Sequence, residues 1–206
     1  MSSDRWATPP AVWSGVLDLF GRNEFDLDAF SEHSDHVTVP SLHRFTVDDD
    51  ALTSDWRGHH WAPGWTPSST LVWAQPPFSR AALRRKGHKG KMAAVVRSVE
   101  MAKAGCVVCL YLPVTEPARS SKGSWVAILD LLSIHKVYFV GRVEHVPPTA
   151  QDKPSSPGAS PHACWILAPW NVSPSPAWKA KTHWRVDQQR WMTPQDAIDL
   201  LDLTDI

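Results

Sequence analysis

The hydrophobic pattern at the start of the chain is helical. Val12, Val16 and Phe20 recur at four-residue spacing behind Thr8 and two prolines, and Gly21 follows them. Proline suits the first turn of a helix and glycine suits its end, so this pattern predicts a helix that starts after a Thr8 N-cap and stops at Gly21.

Two later segments carry the pattern of buried strands. Residues 70–74 and 106–112 are unbroken apolar runs of strand length, and the first stops abruptly at Gln75, Pro76 and Pro77. Continuous apolar runs are typical of parallel strands that are buried on both faces, and consecutive prolines end sheet pairing. A shorter strand is predicted over 25–30, where apolar and acidic residues alternate, with Asp28 near its carboxyl end.

Helical and extended patterns then alternate along the rest of the chain. Helices are predicted over 92–104 and 125–132, strands over 136–140 and 163–167, and a last helix from a Thr193 cap through Leu201. This alternation predicts an α/β fold. Residues 31–69 are weakly periodic, so we expect loops there, with one short helix near 48–56.

Composition supports one domain over residues 1–206. The chain is 43% hydrophobic, enough for a single core. Residues 147–161 are rich in proline and serine and predict an exposed, flexible insertion rather than a domain boundary. Twenty-one basic residues balance 21 acidic ones, so bulk charge does not indicate nucleic acid.

Cysteine usage and hydropathy favour a soluble, intracellular protein, in a bacterial cytoplasm or a eukaryotic nucleus. Three cysteines cannot all pair, and Cys106 and Cys109 lie in an apolar strand, where they point to opposite faces and do not suit one metal. We therefore expect no metal site. No segment resembles a signal peptide or a membrane span.

The proline corner and the segment after it are the candidate functional region. Ligands of open α/β sheets bind beyond the carboxyl ends of the strands, where Gln75, Pro76, Pro77 and Phe78 lie. An amide and a free carbonyl can accept hydrogen bonds from an amino group. Residues 80–91 hold six basic residues and no acid, which predicts a mobile, phosphate-binding loop. The candidate nucleic-acid contacts are Ser79, Arg80, Arg84, Arg85, Lys86, Lys89 and Lys91.

Short motifs over residues 6–168 resemble those of phage-encoded DNA adenine methyltransferases. In that family a strand is followed by four consecutive residues: Asp or Asn, two prolines, and Tyr or Phe. Residues 75–78 here are similar to this motif. The other matching motifs, in order, are Trp6 with Thr8 and Pro9, Leu27-Asp28-Ala29, Asp50-Ala51-Leu52 with Trp56, Leu112-Pro113, Trp125, and Gly141-Arg142. Six weak motifs in the same order make the resemblance substantial.

The resemblance implies a Rossmann-like methyltransferase fold, a mostly parallel sheet flanked by helices, that uses S-adenosylmethionine. Thr8 and Pro9 would border the cofactor, Asp28 would lie near its methionine or ribose part, and Asp50 would accept from its adenine amino group. The partner would be double-stranded DNA with its target base flipped out. Gln75 and Pro76 would accept from the target amine, Pro77 would stiffen the corner, and Phe78 would stack on the base.

Gln75 departs from the family pattern of Asp or Asn at this position. The extra methylene moves the acceptor by about 1.5 Å on an unchanged backbone, and misplacement of that size can cost about 100-fold in rate. An active adenine methyltransferase, a cytosine N4 methyltransferase, an inactive nucleic-acid-binding relative and a scaffold on the same fold all remain open at this point.

Overall fold

Eight strands of the described residues form one mixed sheet with helices on both faces. The computed structural model describes residues 7–31, 39–57, 70–77, 84–85, 87–114, 125–141, 143, 145, 161–169, 173–193 and 196. Strands and helices alternate through most of this length, which confirms the predicted α/β class. Residues 147–160 of the predicted insertion lie outside the described residues.

Four parallel strands make one half of the sheet. They are β1 (Phe25–Asp28), β2 (Ser41–Arg44), β3 (Leu71–Ala74) and β6 (Val107–Pro113), in the order β2-β1-β3-β6. Leu27 pairs with Val72, and Trp73 pairs with Cys109. The predicted strands over 25–30, 70–74 and 106–112 are thus confirmed within two residues at each end.

The other half of the sheet is mixed. It continues from β6 through β8 (His162–Leu167), β7 (His135–Val140), β9 (His183–Arg185) and β10 (Arg190–Trp191). Strand β8 is antiparallel to both of its neighbours, β7 and β9 are parallel, and β9 and β10 form a hairpin. Among the described pairings of this sheet, four are parallel and three antiparallel.

In the described ranges, three α-helices cover the sheet. Helix α1 (Pro10–Phe20) ends at Gly21 in the left-handed region, as predicted. Helix α2 (Lys91–Lys103) connects β3 to β6, and α3 (Trp125–Leu132) has the predicted bounds. The prediction of Thr8 as N-cap of α1 was wrong, because Pro9 holds that position and no side chain caps the helix.

Each face of the sheet has its own hydrophobic core. Val12 and Val16 of α1 pack with Trp73 and Tyr111, while α2 and α3 cover Val72, Leu110 and Trp165 on the other face. Both faces of β3 and β6 are buried, which explains their unbroken apolar sequences. Cys109 and Cys106 lie in different cores, as their spacing predicts.

Two segments differ from expectation. Residues 31–69 contain the edge strand β2, and the expected helix near 48–56 is reduced to a 3-10 turn, Val47–Asp49, followed by a turn. Strand β2 was not predicted because its residues alternate between partly buried and exposed, so it has no apolar run. Near the C-terminus, the Thr193 N–H donates to the Asp196 carboxylate and the Asp196 N–H donates to the Thr193 hydroxyl, as in a capping box. Residues 197–206 lie outside the described residues.

Candidate active site

The candidate site lies where the strand order of the sheet reverses. From β1 the chain moves outward to β2, then returns to the opposite side of β1 to form β3 and β6. Connections that run in opposite directions leave a crevice beyond the carboxyl ends of the two central strands, where α/β proteins bind ligands. Asp28 ends β1 and Gln75 follows β3, so both predicted residues lie at this crevice.

Asp28 is a buried carboxyl group whose hydrogen bonds and charged neighbours offset only part of the cost of burying its charge. Only 6% of the residue is exposed, and Oδ1 accepts one 3.3 Å hydrogen bond from the Phe30 N–H. Burial raises the pKa of Asp28 to about 7, and the Phe30 N–H, Arg44 and Ser31 offset this rise only in part. The carboxyl group is therefore poised to gain from a ligand that donates hydrogen bonds or carries positive charge.

Asp26, two residues earlier, has a structural role instead. It is fully buried, forms an ion pair with Arg22 at 2.7 Å and accepts from the Leu71 N–H at 2.6 Å. These contacts join α1's C-terminal turn to β1 and to the start of β3. Unlike Asp28, Asp26 is thus compensated by an ion pair and a strong backbone hydrogen bond.

Gln75 contacts Thr8 across the crevice. The Thr8 hydroxyl donates a hydrogen bond to Oε1 of Gln75, although the two residues are 67 positions apart. Thr8 is 2% exposed and Gln75 is partly buried. The structure thus brings the cofactor candidate Thr8 onto the catalytic candidate Gln75, and this contact explains why the Thr8 side chain does not cap α1.

The proline corner continues from Gln75 toward the basic segment. Pro76 is buried and Pro77 is partly exposed, and neither has an N–H to donate to the sheet. Pro9, also buried, precedes α1 next to Thr8. Phe78, Ser79, Arg80 and Lys86 lie outside the described residues.

Asp50 lies on a turn that is tied to the same edge. The Phe45 N–H donates to the Asp28 carbonyl oxygen at 2.9 Å, which places the segment leading to Asp50 beside the end of β1. Asp50 is exposed, has a φ of 46°, and accepts from the Leu52 N–H at 3.2 Å and the Thr53 hydroxyl at 2.9 Å. Its carboxylate therefore organises its own turn.

The predicted mobile basic loop is in part a hairpin. Arg84–Arg85 (β4) pairs with His88–Lys89 (β5), and Gly87 at φ 77° lies in the turn between them. Lys89 is exposed, while Lys91 is the first residue of α2. The loop prediction was wrong for these residues because backbone pairing, which charge patterning does not reveal, orders them.

An aromatic cluster beside the site was not predicted. Tyr111 stacks on Trp73 with ring centroids 5.6 Å apart and on His162 at 5.2 Å, and His145 lies 5.3 Å from His162. Burial lowers the pKa of His145 to about 4, so its imidazole is neutral at pH 7. His162 pairs with Pro113 at the carboxyl end of β6, a long-range register that local sequence does not encode.

Two general features bear on the class of site. Within the described part of the chain, no three His, Cys, Asp or Glu residues are grouped so that they could hold a metal ion. Among the same residues, no helix is both long enough and apolar enough to cross a membrane. The polar groups that the described residues bring to this edge of the sheet include the Asp28 carboxyl group, the Gln75 amide and the Thr8 hydroxyl.

These features define an α/β protein with a mostly parallel mixed sheet, whose candidate residues lie at the reversal point of the strand order. A sequence profile of the DNA N-6-adenine-methyltransferase (Dam) family matches residues 1–177, which include every candidate residue of this site. No curated protein matches the chain. The chain belongs to the DNA N-6-adenine-methyltransferase family, which confirms the resemblance that its short motifs indicated.

Proposed function

We propose that the chain transfers a methyl group from S-adenosylmethionine to N6 of an adenine that is flipped out of double-stranded DNA. The observation that carries this proposal is the approach of Thr8 to Gln75 at the crevice that Asp28 also borders. Membership of the adenine methyltransferase family supports the type of reaction. The switch in strand order supports a Rossmann-like methyltransferase fold with its ligands at this edge.

The chemistry of Asp28 fits the proposed cofactor. S-adenosylmethionine carries an ammonium group, a sulfonium and ribose hydroxyls, so it supplies both positive charge and hydrogen-bond donors. A buried carboxyl group whose pKa is about 7 gains from either, because each favours its ionised form. We assign Asp28 to the methionine or ribose part, Thr8 and Pro9 to the border of the pocket, and Asp50 to the cofactor's adenine amino group.

Gln75 and Pro76 are the proposed acceptors for the target amine. An amide oxygen has two lone pairs and can accept more than one hydrogen bond, and the Thr8 hydroxyl donates to it. The Pro76 carbonyl would accept the other N–H. Two such hydrogen bonds direct the nitrogen lone pair away from the protein and toward the methyl donor.

The remaining residues of the corner complete the proposed mechanism. When bound, S-adenosylmethionine supplies the electrophilic methyl group. Pro77 restricts the backbone at the corner, and Phe78 stacks on the flipped base, which offsets part of the few kcal/mol, in order of magnitude, that flipping costs. The neutral amide of Gln75 accepts a hydrogen bond but does not act as a base, so the proton that the amine loses passes to solvent.

The basic segment after the corner is the proposed contact for the DNA backbone. Lys89 is exposed on the hairpin that follows the corner. Phosphate contacts hold a duplex without reading its sequence, and one short basic element can supply several. The proposed set is Ser79, Arg80, Arg84, Arg85, Lys86, Lys89 and Lys91.

Radiolabelled methyl transfer to unmodified DNA tests the proposal, followed by digestion of the product to nucleosides. We expect the label to be recovered in N6-methyldeoxyadenosine. The variants Asp28→Ala and Phe78→Ala should give no labelled product. Label in N4-methylcytosine would instead assign the activity to cytosine. Cofactor binding with no label in DNA would remove the enzyme proposal.

A second candidate is a catalytically silent DNA-binding member of the family. Gln75 favours it, because this longer amide stands where the family has Asp or Asn and its oxygen already accepts from Thr8. This candidate predicts salt-dependent DNA binding without turnover. Gln75→Asp or Gln75→Asn should then create activity, and unchanged inactivity would show that Gln75 is not the cause.

A further inference from the structure

We propose that Arg97 is a positioning residue for cofactor binding, because its buried guanidinium group holds the turn that carries Asp50. The inference rests on the proposed function, in which Asp50 accepts a hydrogen bond from the adenine amino group of S-adenosylmethionine. It assigns a role to a residue of α2 that acts through Asp50 rather than on the ligand.

Arg97 is a buried charge on the inner face of α2. The residue is 6% exposed, and the other buried residues of this helix are small or apolar. A buried guanidinium group is costly unless its donors are bonded. Nη2 donates to the Ser54 carbonyl oxygen, and Nη1 lies 3.4 Å from Oε2 of Glu100. Cζ lies 5.9 Å from the ring centre of Trp56. Two of these three contacts are therefore with residues 50–56.

The segment that Arg97 contacts is a compact turn. The Ser54 N–H donates to the Asp50 carbonyl oxygen at 3.0 Å, which closes the turn. The fully buried Trp56 donates its indole N–H to the Ala51 carbonyl oxygen at 2.7 Å. Two buried side chains, Arg97 and Trp56, thus bond the backbone of the turn from the protein interior.

The carboxylate of Asp50 is tied to the same turn. Oδ1 accepts from the Leu52 N–H at 3.2 Å, and Oδ2 accepts from the Thr53 hydroxyl at 2.9 Å. Asp50 also has a φ of 46°, a left-handed conformation that costs a non-glycine residue energy and that surrounding contacts must maintain. Because the carboxylate is fixed to the turn, a contact that holds the turn also places the carboxylate.

The same contacts link the turn to Asp28. The Phe30 ring packs edge-on against Trp56 with ring centroids 5.8 Å apart, and the Phe30 N–H donates to Asp28. The two carboxyl groups that are proposed to bind the cofactor are thus connected through the ring that Arg97 contacts. A ligand that bridges both needs their separation fixed, since a shift of about 0.5 Å takes an acceptor out of hydrogen-bonding range.

The test compares binding of S-adenosylhomocysteine and S-inosylhomocysteine by calorimetric titration. The second ligand has a carbonyl oxygen in place of the purine amino group, so it cannot donate to Asp50 at that position. Wild type should bind the adenosyl ligand about tenfold or more tightly, the effect of one hydrogen bond to a charged acceptor. Arg97→Met removes the guanidinium group and should reduce this preference to within about threefold.

A second variant keeps the test decisive if Arg97→Met does not fold. Arg97→Lys retains the positive charge but lacks the planar fork that bonds two partners in fixed geometry. Its preference should lie between those of wild type and Arg97→Met. Lys103→Met is the matched control, since it removes another basic residue of α2 at an exposed position, and it should match wild type.

The preference, rather than affinity alone, separates positioning from a merely structural role. A structural role would weaken both ligands by the same factor and leave the preference unchanged. Asp50→Gly removes the acceptor while accommodating the left-handed backbone, so it should show no preference. If Arg97 acts through Asp50, adding Arg97→Met to Asp50→Gly should not change the preference further.

Two outcomes overturn the inference while leaving the proposed function intact. One is a preference within about twofold of wild type in both Arg97→Met and Arg97→Lys. The other is a preference that Asp50→Gly retains, because Arg97 could not then act through this carboxylate. A wild-type chain that binds neither ligand would instead overturn the proposed function and this inference with it.

Discussion

Asp28→Asn should stabilise the protein, and the gain should grow as the pH rises. The substitution keeps the size of the side chain but removes a carboxyl group that burial penalises when it is ionised. The introduced amide can still accept a hydrogen bond from the Phe30 N–H through its oxygen. The stability change therefore reports the electrostatic cost of the buried charge.

The magnitude follows from linkage between the pKa and folding. The folded-state pKa of about 7 lies above the ordinary value of 3.8, so between these values the folded protein holds a proton that the unfolded chain has lost. Stability from this group is thus present below pH 3.8 and is lost as the pH rises toward 7. The loss is about 1.7 kcal/mol at pH 5 and about 4 kcal/mol at pH 8.

Urea denaturation of wild type and Asp28→Asn at pH 5 and pH 8 measures this difference. The variant's advantage in free energy of unfolding should be about 2 to 3 kcal/mol larger at pH 8. Any hydrogen bond lost or gained by the amide is common to both pH values and cancels. Asp48→Asn, at an exposed position in the 3-10 turn, controls for the removal of one acidic residue. An advantage that is equal at both pH values would refute the reasoning.

Three further predictions concern packing, acid stability and DNA. Gly15→Ala should destabilise the protein by about 1–3 kcal/mol, because the new Cβ would lie 2.5 Å from Trp184 Cδ2. A free energy of unfolding equal to that of wild type, measured in urea, would contradict this packing. The free energy of unfolding of His145→Gln, measured in urea, should rise by about 2 kcal/mol relative to that of the wild type between pH 7 and pH 5, because the lowered pKa of His145 means that acid favours the unfolded chain at this group. Lys89→Gln should weaken DNA binding alike for all sequences and reduce the salt slope by about one in filter-binding assays; an unchanged slope would exclude Lys89 from the interface.

Elements with a strong local pattern were predictable from sequence. Helix α3 (Trp125–Leu132) and strand β3 carry their own apolar periodicity, and Gly21 marks the end of α1 by its left-handed conformation. The corner at Gln75 was placed correctly beyond a buried strand because proline stops sheet pairing whatever the tertiary context. These features depend on residues that are adjacent in sequence.

Features that depend on distant partners were not predictable. The polar strand β2 forms because it pairs with β1. The hairpin that holds Lys89 was not predicted, because a run of basic residues indicates an exposed loop rather than backbone pairing. The sequence around Thr8 predicted a helix cap. Its hydroxyl instead bonds to a side chain 67 residues away, and the local sequence does not indicate that partner. The sequence therefore placed Asp28 and Gln75 at strand ends, while the hydrogen bonds around them required the structure.

Calorimetric titration with S-adenosylmethionine tests the central claim, that the reversal point of the sheet is a cofactor site built around Asp28. Wild type and Asp48→Asn should bind equally, and Asp28→Asn should bind about ten- to 100-fold more weakly, the cost of a lost charged hydrogen bond. Binding at pH 7 should also release protons from wild type, because the ligand favours ionised Asp28. No binding by wild type, or equal binding by Asp28→Asn, would contradict the claim.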